Sequence, residues 1–162
     1  VAKKAPAGTP ALRVLTTAAV EHVVHPYEHD PRAESYGLEA AQALGVDPAR
    51  VFKTLFASLD GELVVGIVPV TGHLDLKALA RALGGSKAQM AEPADAERAT
   101  GYVVGGISPL GQKRAHRTAI DQSAAQHETV LVSGGRRGLD VELSPHDLAR
   151  LTEAVLAPIS RT

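Results

Sequence analysis

Two apolar runs, Val51 to Leu59 and Leu63 to Val70, meet around Asp60-Gly61. Asp-Gly between such runs is the strongest short-range hairpin signal, because both residues accept the positive φ of a type I′ turn. A β-hairpin therefore frames whatever else folds here. In its first strand the two-residue period puts Lys53 on one face with Val51, Leu55 and Leu59, and Phe52 and Phe56 on the other. A strand apolar on both faces belongs in the middle of a sheet. A lysine within it either snorkels out at the strand end or meets an anion in a cavity, since burying an unpaired ammonium is costly.

Helical and extended patterns flank the hairpin. Thr9-Pro10 offers an N-cap and a first-turn proline for a helix over 10–20, with Leu12, Leu15 and Ala19 on one face. A short strand fits 22–27, a helix fits 37–44 and is closed by Gly45, and Asp47-Pro48 caps a further turn. Beyond the hairpin, helices are expected over 76–83, from Pro93 onward, and from Ser144-Pro145 with Leu148, Leu151 and Val155 on one stripe. Strands are expected near 88–90 and at 102–104, 117–121, 129–133 and 139–143. Alternation without a strict βαβ repeat predicts one α/β domain around a mixed sheet. Residues 1–8 read as a flexible lead-in and 9–162 as that domain.

Composition then removes whole classes of function. The chain has no cysteine, which excludes disulfides, Cys-ligated zinc or iron–sulfur sites and a thiol nucleophile of its own. Seventeen basic against eighteen acidic residues give a net charge of −1, so nucleic-acid contact must be local rather than driven by a polybasic field. Two Phe, three Tyr and no Trp are too few for the stacking platforms of a generic single-strand binder. No apolar run approaches the ~20 residues that span a bilayer, and the first residues lack a signal-peptide core. A cytoplasmic protein with neither membrane nor DNA as partner is expected.

Several local patterns carry candidate chemistry. Gly105-Gly106-Ile107-Ser108-Pro109-Leu110-Gly111 allows close backbone approach to a ligand, or is simply a turn. Gly106 and Gly111 have P-loop spacing, but Gln112 stands where the lysine belongs, which rejects an NTPase. Ser108 misses the nucleophile-elbow pattern because position 110 is Leu, and Pro109 has no N–H to offer an oxyanion. His22 and His25 permute a zinc motif without matching it and read as structural. Lys113 and Arg114, with His116 and Arg117, form one basic cluster; Arg136 and Arg137 form another beside glycine turns. Asp140 sits opposite the apolar parity of Leu139, Val141 and Leu143, so pattern alone turns it to solvent.

Four stretches in order, Tyr27-Glu28-His29-Asp30, Val51-Phe52-Lys53-Thr54-Leu55, Gly101 to Lys113 and Ser133-Gly134-Gly135-Arg136-Arg137-Gly138-Leu139-Asp140, resemble the YbaK family. These are bacterial Cys-tRNA(Pro) deacylases related to the editing domain inserted in prolyl-tRNA synthetase, and the resemblance runs over 9–160. It implies a compact α/β domain with a barrel-like mixed sheet flanked by helices, and a trans-editing role. A synthetase pocket separates near-isosteres poorly, so mischarged Cys-tRNA(Pro) needs a second enzyme. Carried over residue by residue, Lys53, Gly106 and Asp140 take catalytic roles. Tyr27, Tyr36, Thr54, Gly105, Ile107, Ser108 and Pro109 take substrate-binding ones, and Lys113, Arg114, Arg136 and Arg137 become tRNA contacts. Tyr36 stands where Phe is expected in many relatives, a difference of pocket polarity only.

The resemblance further implies substrate-assisted chemistry, in which the bound cysteinyl thiol attacks its own ester and leaves as a cyclic thiolactone; proximity supplies the rate. Lys53 would pair with a terminal tRNA phosphate, backbone N–H groups of Gly105 to Ser108 would meet developing oxyanion charge, and Asp140 and Tyr27 would orient the amine or thiol. Neither metal nor other cofactor is implied. Partners would be aminoacyl-tRNA, Cys-tRNA(Cys) included, and prolyl-tRNA synthetase in a ternary complex. Two alternatives stand beside this: an Ala-tRNA(Pro) deacylase, and a non-catalytic tRNA- or synthetase-binding module.

Overall fold

The structure is a computed structural model that describes residues 8–162; the expected lead-in lies outside them apart from Gly8. In chain order the first elements are α1 (Pro10–Thr17), β1 (Val23–Pro26), α2 (Tyr36–Leu44), β2 (Phe52–Leu59) and β3 (Glu62–Pro69). There follow β4 (His73–Leu74), α3 (Leu76–Ala82), β5 (Ala88–Met90), α4 (Pro93–Thr100) and β6 (Thr118–Asp121). The last are β7 (Val130–Arg136), β8 (Leu139–Leu143), α5 (Pro145–Thr152), β9 (Val155–Ala157) and β10 (Ser160–Arg161).

The Asp-Gly hairpin forms as the sequence requires, with Asp60 at φ 52° and Gly61 at φ 90° and β2 and β3 antiparallel from Phe52–Pro69 to Leu59–Glu62. It is the middle of a five-stranded mixed sheet in the order β5-β2-β3-β6-β9. Phe52 and Phe56 enter one core with Ile67, Leu110, Ile120 and Leu139. Ala57 and Leu59 enter another under α3, with Leu79 and Ile159. A three-stranded antiparallel sheet, β1-β8-β7, approaches the first through a parallel bridge between Val51 and Leu131. Among the described residues the two sheets do not close into a continuous barrel.

Caps account for most helix limits. Thr9, Ser35, Asp75 and Ser144 each accept an N–H from the first turn of α1, α2, α3 and α5. Gly45 ends α2 in the left-handed region.

The differences from expectation are local. Helix α1 stops at Thr17, because Ala19 turns to φ 56°. Residues 102–104 are not a strand: Val104 gives its N–H to the Glu97 carboxylate and Tyr102 gives its hydroxyl hydrogen to the Leu110 carbonyl, so side chains and loop backbone replace a ladder. The last helix ends at Thr152, where Glu153 takes φ 54°, and Val155 passes to β9 alongside β6 instead of sharing the helical stripe. The two-residue strands β4 and β10 pair with each other and are too short to announce themselves by periodicity.

Candidate active site

A cavity of about 310 Å³ opens where the start of β2, the first turn of α2, the start of α4 and the glycine loop converge. Lys53, Thr54, Tyr27, Tyr36, Gly105, Ile107 and Asp140 all line it. The rest of the wall is mostly apolar, with Phe52, Leu55, Phe56, Met90 and Ala96 among its side chains.

Lys53 is the second residue of β2, opposite Val68 of β3. Lys53 is one of the residues that line the cavity. Partial burial lowers its pKa from the ordinary lysine value.

Asp140 corrects the alternation argument. It is 6% exposed, because β8 is the central strand of its sheet, between His25 of β1 and Ser133 of β7. Leu139 and Val141 fill the core on one face, and the opposite face meets the cavity instead of water. Burial pushes the Asp140 carboxyl up to about 7, so the group changes protonation near neutrality. Tyr27 donates its N–H to the Gly138 carbonyl just upstream; desolvation, then the nearby Asp140 and Glu39 charges, push its phenol up to about 12. Tyr27 is therefore a neutral hydroxyl at any working pH. The Thr54 hydroxyl oxygen is buried without a hydrogen-bond partner, a polar atom left for something that enters the cavity.

The glycine loop is shaped by what it touches. A Cβ at Gly105, which sits at φ +90°, would lie 2.7 Å from the Tyr36 ring and 2.9 Å from Arg137 Nε; one at Gly106 would lie 2.6 Å from the Arg136 backbone. Both glycines thus permit the loop to pack on the β7–β8 turn and on α2. The Gly106 N–H is engaged by the Val103 carbonyl at 2.8 Å, whereas Gly105 and Ile107 reach the cavity wall with N–H groups that have no backbone acceptor among the described residues. Ser108 is fully buried and closes a local turn, its Oγ accepting the Leu110 N–H. Pro109 lines a separate depression with Gln112, Arg114 and His116.

A family model described as the aminoacyl-tRNA editing domain matches residues 30–151, which takes in every one of these elements except Tyr27. The chain belongs to the aminoacyl-tRNA editing domain family. A relative from Enterococcus faecalis, named "Putative Cys-tRNA(Pro)/Cys-tRNA(Cys) deacylase EbsC", is 36% identical over 98% of this chain and 96% of its own. The proline--tRNA ligase of Maridesulfovibrio salexigens is 30% identical over 74% of this chain, which corresponds to 19% of that longer protein. A solved structure described as "a putative trans-editing enzyme for prolyl tRNA synthetase" superposes with a TM-score of 0.81 at 23% identity, covering 99% of this chain and 100% of the other. At that identity it bears on the fold alone.

As an editing-domain protein the chain distributes its predicted residues unevenly. Arg136 and Arg137 lie at the β7–β8 turn against the glycine loop, while Lys113 and Arg114 lie beyond the loop's far end, Arg114 at the separate depression. The ring nitrogens of His22 and His25 meet different partners, the Val20 carbonyl and the Glu142 carboxylate, both at 2.7 Å. No cluster of potential metal ligands occurs among the described residues. No described helix is long and apolar enough to cross a membrane.

Sequence reasoning missed the supporting layer. His29 meets the Glu39 carboxylate at 2.9 Å and packs on Tyr36 with ring centroids 5.7 Å apart. Ser133 lines the cavity as the cross-strand partner of Asp140. Both lie inside quoted motifs, but only pairing across strands gives them roles.

Proposed function

We propose that this chain is a trans-editing deacylase that clears Cys-tRNA(Pro), and also Cys-tRNA(Cys), in the cytoplasm. What carries the reading is a wall with an ionisable acid and a partly buried lysine but, among the described residues, no histidine or cysteine. A serine or threonine hydroxyl there has no imidazole to activate it. The nucleophile then comes with the substrate. The Asp140 carboxylate takes the thiol proton, and the sulfur forms a bond to the ester carbonyl carbon. The C–O bond to the terminal ribose breaks, and the departing oxygen receives the proton back. The products are free tRNA and a cyclic thiolactone, with no water consumed until that ring hydrolyses. Gly105 and Ile107 N–H groups face the developing oxyanion, Lys53 pairs with the terminal phosphate, and Tyr27 and Thr54 hold the amine.

The names borne by the Enterococcus relative and the matched synthetase support the substrate class. The test is a deacylation panel on tRNA(Pro) charged with Cys, Ser, Ala or Pro, and on Cys-tRNA(Cys). Cysteine should be released and serine, which lacks the thiol, spared; equal release of serine would refute the thiol mechanism, and preferential release of alanine would replace the substrate. The low net charge favours borrowed tRNA affinity. Prolyl-tRNA synthetase in a ternary complex should therefore sharpen the preference for tRNA(Pro), and a loss of discrimination on adding it would count against that partnership.

A further inference from the structure

Arg137 is exposed, yet its side chain is held twice. Its Nε donates to the Val104 carbonyl at 2.8 Å, and its guanidinium carbon lies 5.3 Å from the centroid of the Tyr36 ring, a cation–π contact. Gly105 leaves room for both, since a Cβ there would strike the Tyr36 ring and Arg137 Nε together. All three partners, Val104, Tyr36 and Gly105, are wall residues of the cavity. The β7–β8 turn is built to deliver this arginine, because a register shift between Ser133 and Arg136 breaks the ladder just before it.

Three other oriented arginines spend their charge on carboxylates, Arg50 on Glu142, Arg117 on Glu62 and Arg150 on Asp147. Arg137 does not, and its two terminal nitrogens have no acceptor among the described residues. Fixing a long side chain costs rotamer entropy, and a fixed guanidinium with its fork unused is preorganised for a planar or tetrahedral oxyanion.

We propose that Arg137 is a phosphate ligand of the editing site, gripping the 5′-phosphate of the substrate's terminal nucleotide from outside the Tyr36–Gly105 wall while Lys53 acts from within. The assignment rests on the cavity taking the aminoacyl end of tRNA, but its chemistry can be tested apart from catalysis.

Binding of adenosine 5′-monophosphate and of adenosine, followed by NMR titration at low salt, isolates the phosphate from the aminoacyl group. The wild-type protein should bind the phosphorylated form at least about tenfold more tightly, the ratio a charge-assisted contact supplies. Arg137→Gln should remove most of that advantage while leaving adenosine affinity within about twofold, and Arg137→Lys should recover a minor part of it, keeping charge without the fork. Unchanged melting temperatures in both variants separate this from unfolding. An equal ratio in wild type, or a ratio unaltered in Arg137→Gln, overturns the proposal. Deacylation of Cys-tRNA(Pro) by the same wild-type sample judges the editing reading independently: turnover without a phosphate preference sinks the phosphate roles of Arg137 and Lys53 but not the deacylase, and a phosphate preference without turnover sinks only the deacylase.

Discussion

Replacing Asp140 by asparagine should make the protein more stable and less active, with a stability gain that grows between about pH 4 and pH 7. The carboxyl moves from its ordinary 3.8 to about 7 through burial alone. At about 1.36 kcal/mol for each pH unit, that displacement corresponds to a free-energy difference on the order of 4 kcal/mol between the charged and neutral forms. The sign runs opposite to the usual aspartate. Because the folded-state value is raised, the stability associated with the neutral acid is fully present below the unfolded value near 3.8 and is lost as pH rises through about 7. An asparagine side chain has the same shape and never ionises. Its advantage should therefore vanish below about pH 4, be about 2 kcal/mol at pH 5 and reach about 4 kcal/mol above pH 7, or roughly 8–16 °C in Tm at about 2–4 °C per kcal/mol for a chain of this size.

The assay is the melting temperature of wild type and Asp140→Asn from pH 5 to 9, with Cys-tRNA(Pro) deacylation at each pH. Wild-type single-turnover rate should rise toward a plateau above pH 7 as the carboxylate forms, and the variant should be slow and flat. Equal destabilisation by the substitution at pH 5 and pH 9 would refute the desolvation argument. A wild-type rate that falls between pH 6 and pH 8 would refute the assignment of Asp140 as the base.

Other substitutions separate wall from scaffold. Lys53→Ala should lower deacylation at subsaturating substrate by about a hundredfold, as expected for losing a charge-assisted contact of about 3 kcal/mol; full activity there would end the phosphate role. Gly105→Ala should cost about 1–3 kcal/mol through its positive φ and drive a methyl into Tyr36, so both denaturant midpoint and turnover fall. Tyr27→Phe should reduce turnover with Tm nearly unchanged. Tyr102→Phe, by contrast, loses a 2.6 Å bond to the Leu110 carbonyl and should lower stability by about 1 kcal/mol, read by urea denaturation.

What the sequence discloses depends on the range of the interaction. The Asp60-Gly61 turn, the Thr9 and Ser144 caps and the Gly45 stop act within a few residues and are legible. Val155 is misplaced by periodicity because an apolar residue at helical spacing cannot reveal that Glu153 has already turned left-handed. Asp140 is misread by pattern because alternation records parity, not what covers the second face; its burial depends on β2 and α2, far away in sequence. The resemblance to a known family names the residue, and the fold supplies the reason it titrates near neutrality. The Arg137–Tyr36–Val104 contact is out of reach, since it joins three segments whose only shared signal is glycine.

The cavity's economy follows from these positions. An enzyme that hydrolysed esters with its own nucleophile would threaten correctly charged aminoacyl-tRNA as well, and selectivity would rest on pocket fit alone, where a methylene is worth only about 1–3 kcal/mol. A site that supplies a base, a cation and N–H donors but no nucleophile makes reaction conditional on a group that the correct substrate lacks. Prolyl ester carries no thiol, so it can occupy the cavity without being cut. Discrimination then moves from binding to chemistry, and the wall need not fit cysteine closely, which agrees with a loosely apolar lining of about 310 Å³. The consequence is measurable: Pro-tRNA(Pro) should inhibit Cys-tRNA(Pro) cleavage with an inhibition constant within about tenfold of the KM for the cysteinyl substrate, while being released no faster than in buffer. Exclusion of the prolyl ester, seen as an inhibition constant a hundredfold or more above that KM, would return selectivity to the shape of the pocket.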